Sequence, residues 1–256
     1  MSANPGHDFA DQLMARLDQV KQAERTVTFW WRDDDAIEPT PALQRLTDLS
    51  DHFGLPLALA VIPKQVKDTL PGAVSDVDGL AVFQHGWAHT NHQPPGEKKA
   101  ELGDARRPNM VLSELARGFE CLASLFADQF LPVLVPPWNR IAPEIAERRR
   151  DMGLAGITTF GRNKAATSQW VNTHVDIIDW RGSRGFAGLD QIRDQLLAEI
   201  DHRLQSGSEE PIGLLTHHLV HDEECWRFLE TFLALAAHHP AAIWQPLPVI
   251  FKPRNN

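Results

Sequence analysis

The sequence predicts an α/β protein built on a parallel sheet of about seven strands, with helices covering it. Two observations carry this expectation. Seven short apolar runs of strand type recur along the 256 residues, and nearly every neighbouring pair is separated by a stretch whose apolar residues follow helical spacing. With 43% hydrophobic residues, a chain of this length can bury one large core.

Taken in order, Phe9, Leu13, Leu17 and Val20 form the apolar stripe of an N-terminal helix over 9–24. Val27 to Trp31 is the first strand and runs into Arg32-Asp33-Asp34-Asp35. Thr40-Pro41 opens a helix carrying Leu43, Leu46, Leu49 and Phe53, which Gly54 closes. Leu55 to Ile62 and Leu80 to Phe83 are the next two strands. Residues 90–109 are polar, contain Pro and Gly, and are too long for an ordinary connection, which marks a candidate lid or substrate loop. Its Glu97, Lys98 and Lys99 are candidate substrate contacts, or simply a solvated charged face. Val111 to Asp128 is helical, Val133 to Val135 a strand, and Pro143 to Met152 a helix. Strands Gly156 to Phe160 and His174 to Ile178 follow, then helix Leu189 to Leu204, strand Ile212 to Thr216 and an amphipathic helix from about 222 to 237. A single domain over 1–256 accommodates the series. Both an open doubly wound sheet and a closed, irregular barrel fit it.

The formal charge of -9 and the lack of a long Lys/Arg run argue against a nucleic-acid partner and make a neutral or cationic one easier to accommodate. Cys121 and Cys225 are far apart and form no CxxC pair, so neither a disulfide framework nor a thiolate zinc site is expected. Both read as small buried hydrophobes. The amino end lacks a basic segment followed by an apolar run, and no stretch approaches roughly 18 apolar residues, so the expectation is a cytoplasmic protein with no membrane partner.

In either architecture the active site lies beyond the carboxyl ends of the strands. Five segments there are unusual. In FWWRDDDA, Phe29 to Ala36, three adjacent carboxylates repel one another unless a cation or strong donor sits among them, or unless the run merely caps the next helix. In QHGWAHTNH, His85 and His89 stand four residues apart and converge if the segment coils into one turn. Two imidazoles and a carboxylate make a facial ligand set with positions left for water and substrate. His92 is a bystander or a substrate contact. In LVPPWNR two prolines stiffen a turn and set Trp138 beside whatever binds, unless that ring is core packing. In HVDIIDWRG, Asp176 and Asp179 flank an apolar pair next to Trp180, where a carboxylate can orient a histidine. The last, GLLTHHLVHD, holds His217, His218 and His221, and alternation lets one of the adjacent pair face the site.

In order and spacing these five segments resemble the five motifs of the polysaccharide deacetylase family, the NodB-homology carbohydrate esterases, in divergent form. The resemblance implies an incomplete or distorted (β/α) barrel of about seven parallel strands. Against the family's T-F-D-D-G, Arg32-Asp33-Asp34-Asp35-Ala36 implies Asp34 as base and Asp35 as metal ligand. The His, three residues, His motif supplies His85 and His89 as the other ligands. Val135-Pro136-Pro137-Trp138-Asn139 is similar to R-P-P-Y/W-G but carries valine where the family has the arginine that pairs with its base, leaving Arg32 and Arg140 as candidates to replace it. Asp176-Ile177-Ile178-Asp179-Trp180 resembles the fourth motif, and Leu214-Leu215-Thr216-His217 the fifth. By that resemblance His217 is the general acid, held by Asp179 or Asp176. Trp87, Trp138, Asn139, Trp180, Asp176 and His92 are the expected substrate contacts. One divalent ion is implied, zinc by default, with cobalt, nickel, manganese or iron also compatible. The implied reaction removes an acetyl or similar acyl group from an N-acetylated sugar, oligosaccharide or glycoconjugate. Two alternatives are an amidohydrolase acting on the C–N bond of a small non-sugar amide, and a non-catalytic carbohydrate-binding or regulatory protein, to which Val135 lends support.

Overall fold

The computed structural model describes residues 5–162 and 169–252; the ends of the expected 1–256 domain lie outside these. Strand β1 (Val27–Ala36) is flanked on one side, in chain order, by β2 (Leu57–Val61), β3 (Ala81–His85), β4 (Phe130–Val135) and β5 (Gly156–Ile157). On its other side lie β7 (Ile212–Thr216) and then β6 (Val175–Asp176), and every pairing is parallel. Single bridges carry the ring onward. Val171 N donates to Ile157 O, Thr173 N to Thr159 O, and His174 N to Gly213 O. The strands thus follow one another in sequence order around a distorted barrel, and the open doubly wound sheet is excluded.

β5 and β6 are shorter than the expected 156–160 and 174–178, because Phe160 and Gly161 leave the regular ladder and pair only through isolated bridges. An unexpected eighth strand, β8 (Ala242–Trp244), pairs with the first three residues of β1, below the point where β2 begins at Trp31.

Alternation along β1 divides its side chains. Val27, Phe29 and Trp31 join the outer core, against α1 (Pro5–Gln22), α2 (Pro41–Phe53), α6 (Leu189–Ser206) and α7 (Glu223–His238). The helix α2 begins as expected, with the Thr40 hydroxyl accepting from Leu43 N and Gly54 closing it at φ 62. A second outer cluster packs α4 (Pro108–Phe126) and α5 (Pro143–Arg148) on β4 and β5. The short α3 (Leu70–Val74) follows β2. Cys225 is buried, which pushes its thiol up to about 12, whereas Cys121 is only half-buried.

Trp30 points inward. It joins Ala58, Ala60, Ala81, Phe83, Val133 and Val135, and Phe251 closes this inner core together with Leu247 and Ile250 from α8 (Leu247–Ile250). The three alanines leave room for two large rings, Trp30 and Phe83, whose centroids lie 5.3 and 5.1 Å from that of Phe251. Packing therefore plugs one end of the barrel. Arg32, Asp34 and His85 line the other.

Candidate metal centre and active site

Regular alternation would turn Asp34 into the barrel and Asp35 away from it. Instead the register of β1 on β2 slips between Asp33 and Ala36, and Asp35 takes φ 73. This bulge brings two adjacent carboxylates to the same open end. The DDD run is resolved by three different partners. Asp33 points outward, where its Oδ2 accepts from the Thr216 hydroxyl (2.6 Å) and from His218 N (3.0 Å), while Oδ1 meets His218 Nδ1. Burial pushes the Asp33 carboxyl up, but the charge and hydrogen bond of His218 hold it below the usual range. Of the adjacent histidines, His217 faces the site and His218 is committed to Asp33.

The ligand atoms of Asp35, His85 and His89 all lie within 4.8 Å of one another. Asp35 Oδ1 is 3.1 Å from His85 Nε2 and 3.4 Å from His89 Nε2. His85 Nδ1 lies 2.9 Å from the Val135 carbonyl, which can only accept, so Nδ1 carries a proton; without an ion Nε2–H donates to Asp35, and loss of that proton frees the Nε2 lone pair for a metal. Burial favours the neutral carboxyl of Asp35, yet the hydrogen bond and charge of His85 bring it well below its ordinary value. On His85, burial opposes charge but Asp34 and Asp35 outweigh it and raise the pKa. On His89, burial and the neighbouring His85 prevail and lower it. One anionic oxygen and two ring nitrogens could hold a single divalent ion.

The turn from His85 to His89 is held by a residue outside the sequence-derived set. Glu101, buried within the 90–109 stretch, accepts from Trp87 N (3.1 Å) and Ala88 N (2.7 Å). Gly86 has φ 56, and a Cβ there would stand 2.1 Å from Glu101 Oε2 and 2.7 Å from Pro137. The stretch is tied down elsewhere as well: Asn91 Oδ1 accepts from Gln93 N and Ala100 N, and Leu102 bridges to Ile141.

Beside this cluster, Arg32 grips Asp34. Nη2 donates to Oδ2 at 3.0 Å, and Nε makes an ion-pair contact of 2.9 Å with Oδ1. The guanidinium is fixed further by Thr158 Oγ1 (2.9 Å) and Asn139 Oδ1 (2.8 Å). Arg140 instead donates to Lys99 O. Val135, the apolar residue at the motif-arginine position, is buried in the inner core. His217 Nε2 stands 3.9 Å from Asp34 Oδ2, and its ring lies 4.7 Å from that of Trp180.

The remaining expected residues are placed as follows. Asp176 accepts from Trp180 Nε1 (2.8 Å) and Ile178 N (3.0 Å), and burial raises its pKa against the lowering charge of His217. Asp179 accepts from the backbone N–H groups of Arg181, Gly182 and Ser183 and makes no bond to His217. Trp138 packs on His89 at 4.4 Å, whereas Trp87 lies under Arg117 at 4.5 Å. His92 N donates to Ala100 O within the 90–109 stretch. Asp35, His89, Trp138 and Asn139 all have φ between 54 and 73, and such strained backbone concentrates where function holds it in place.

No family model matches this sequence, and no curated protein does. Solved structures match it over most of its length. A Mycobacterium smegmatis protein put forward as a polysaccharide deacetylase superposes with a TM-score of 0.62 at 13% identity, covering 91% of this chain and 94% of its own. A T48 deacetylase solved with substrate gives 0.55 at 15%, covering 90% and 92%. A family 4 carbohydrate esterase from Streptomyces lividans, solved with acetate, gives 0.53 at 15%, covering 83% and 88%. The chain therefore has the fold of the polysaccharide deacetylases and family 4 carbohydrate esterases, as the five-segment resemblance implied. Within that fold it carries an Asp-His-His cluster that could hold one divalent metal.

Proposed function

We propose that the protein is a metal-dependent hydrolase that removes an acetyl or similar acyl group from the nitrogen of an N-acylated sugar or glycoconjugate. The observation that carries this reading is the bulged end of β1. It presents Asp34, paired with Arg32, and Asp35, gathered with His85 and His89, at the one open end of the barrel where His217 also stands. Zinc suits two imidazoles and a carboxylate, and the bound ion supplies Lewis acidity for water and the acyl carbonyl. Asp34 accepts the proton of the attacking water, and Arg32 orients that carboxylate and balances its buried charge. His217, whose Nε2 faces Asp34, delivers a proton to the departing amine. Trp138 and Trp180 supply flat walls against which a sugar ring stacks, one beside His89 and the other beside His217.

Metal analysis joined to an acyl-release assay over N-acetyl sugars, peptidoglycan fragments and small amides tests this reading. Asp35→Ala is expected to lose the ion, and Asp34→Asn to keep it while losing turnover. Full activity in either variant, or an ion-free protein that hydrolyses none of these compounds, overturns the assignment. Hydrolysis confined to the non-sugar amides would move the substrate class and leave the site intact.

A further inference from the structure

Each indole wall of the site lies beneath a cation. Lys99 Nζ lies 6.0 Å from the ring centre of Trp138, and Arg140 donates to the Lys99 carbonyl at 2.8 Å, placing a second cationic residue on that side. The Arg184 guanidinium lies 5.8 Å from the ring centre of Trp180, and Arg181 is exposed in the same turn. Among the described residues, none of these four exposed cations forms an ion pair, although nine other arginines do.

The carboxylates lining the site are already engaged. Asp34 is held by Arg32, Asp35 by His85, Asp176 by Trp180 and Ile178, and Asp179 by three backbone N–H groups. Asp222 accepts from Phe186 N and Cys225 N, and Glu101 from Trp87 N and Ala88 N. Glu97 and Asp104, both exposed on the 90–109 stretch, are the acidic side chains there without such a bond. A chain of formal charge -9 thus leaves positive charge uncompensated over both walls of its site. A neutral sugar would use the indole faces and offer the cations only hydroxyl acceptors, weaker than an anion.

Resting on the deacylase reading, we propose that the substrate is an N-acylated sugar bearing an anionic substituent, phosphate or carboxylate, close to the acylated ring. The ring lies on an indole face while the anion meets Lys99 and Arg140 or Arg184 and Arg181. Guanidinium and ammonium groups at such a rim give charge-assisted hydrogen bonds and draw the anion in from solution. The net charge of the chain, which favours a neutral or cationic partner, averages away this local reversal.

The test compares N-acetylglucosamine, N-acetylglucosamine 1-phosphate and N-acetylmuramic acid with the intact, metal-loaded protein. At low salt, kcat/KM for an anionic sugar is expected to exceed that for the neutral one by about tenfold, with the ratio shrinking toward unity near 0.3 M salt. The double variant K99M/R184M is expected to bring the ratio to within about twofold of one. Preference for the phosphate or for the carboxylate identifies the anion. Equal or better use of the neutral sugar by the parent protein, or a ratio untouched by the double variant, overturns the proposal. Calorimetric binding of the same three sugars separates this from the deacylase reading. A Kd about tenfold tighter for an anionic sugar supports the anion site whether or not acyl is released, failure to hydrolyse these sugars together with the peptidoglycan fragments and amides sinks the deacylase reading, and equal Kd values sink the anion site alone.

Discussion

Removing the Arg32 guanidinium with Arg32→Met tests the pair on which the proposed base, Asp34, depends. Both partners are buried, at 0% and 2% exposure, and the head group makes two contacts with Asp34 and one each with Thr158 and Asn139. Methionine fills much of the space but leaves Asp34 without a permanently charged partner, the His217 imidazole being 3.9 Å away. Breaking a buried ion pair costs about 3–5 kcal/mol, and the charge-assisted bonds to Thr158 and Asn139 add about 1.5 kcal/mol each. A domain with ~5–15 kcal/mol of stability is expected to stay folded at 25 °C with a clearly lowered urea midpoint. Because Asp34 loses its orientation, kcat is expected to fall by roughly two orders of magnitude while bound metal stays stoichiometric. Arg32→Lys restores charge without the planar fork and should recover only part of the loss. Val135 lies on the inner face of β4, in register with His85. Adding Val135→Arg to the Arg32→Met protein, which returns a guanidinium from the neighbouring wall, is expected to regain at least about tenfold in kcat. A folded, metal-replete Arg32→Met protein with kcat within about twofold of its parent would refute the reasoning.

Glu101→Ala frees the N–H groups of Trp87 and Ala88, so metal affinity should weaken by about 10–100-fold while kcat at saturating metal is largely kept; an unchanged Kd in a competitive chelator titration counts against this role. Gly86→Ala places a methyl group 2.1 Å from Glu101 Oε2 at φ 56, and is expected to lower Tm by several degrees and to weaken metal binding, as calorimetry would read. In the ion-free protein His85 titrates above the ordinary imidazole value, so at and below neutrality it must shed a proton before Nε2 can coordinate. Metal affinity should therefore climb as pH rises from about 6 to 8, with protons released to the buffer. Titrations in buffers of different ionisation enthalpy that show no proton release would contradict that sign.

The parts of the fold written in local signals were legible in the sequence. Thr40, Pro41 and Gly54 mark both ends of α2, and the apolar runs at 27–31, 55–62, 80–83 and 212–216 each contain a strand. That Asp35, His85 and His89 gather was legible because Asp35 and His85 stand shortly after such runs and His89 lies four residues beyond His85. What escaped depends on contacts distant in sequence or on backbone detail with no residue signature. The slip at Asp35 occurs without glycine, so nothing in DDDA marks which carboxylate turns with its neighbour. Glu101 meets the ligand turn across 13 and 14 residues of polar chain. Choosing between Arg32 and Arg140 required knowing that Thr158 and Asn139 approach the inner face of β1. Ala242–Trp244 is too short a run to stand out as a strand beside the helix before it.

The place of β1 within the ring also governs how the chain matures. From Trp31 onward its pairing with β2 closes over about 26 residues, but Phe29 to Asp33 meet β7 only at Ile212 to Thr216, and Val27 to Phe29 meet β8 at Ala242 to Trp244. During synthesis the strand that bears Arg32, Asp34 and Asp35 is therefore a bare edge, flanked by the large rings of Trp30 and Trp31, until the last fifth of the chain has emerged. Such contacts slow folding and leave an edge open to foreign strands. The three residues of the candidate metal cluster all precede residue 90, whereas His217 directly follows the strand that seals that edge, so completion of the proposed catalytic set and burial of the adhesive edge coincide late in the chain.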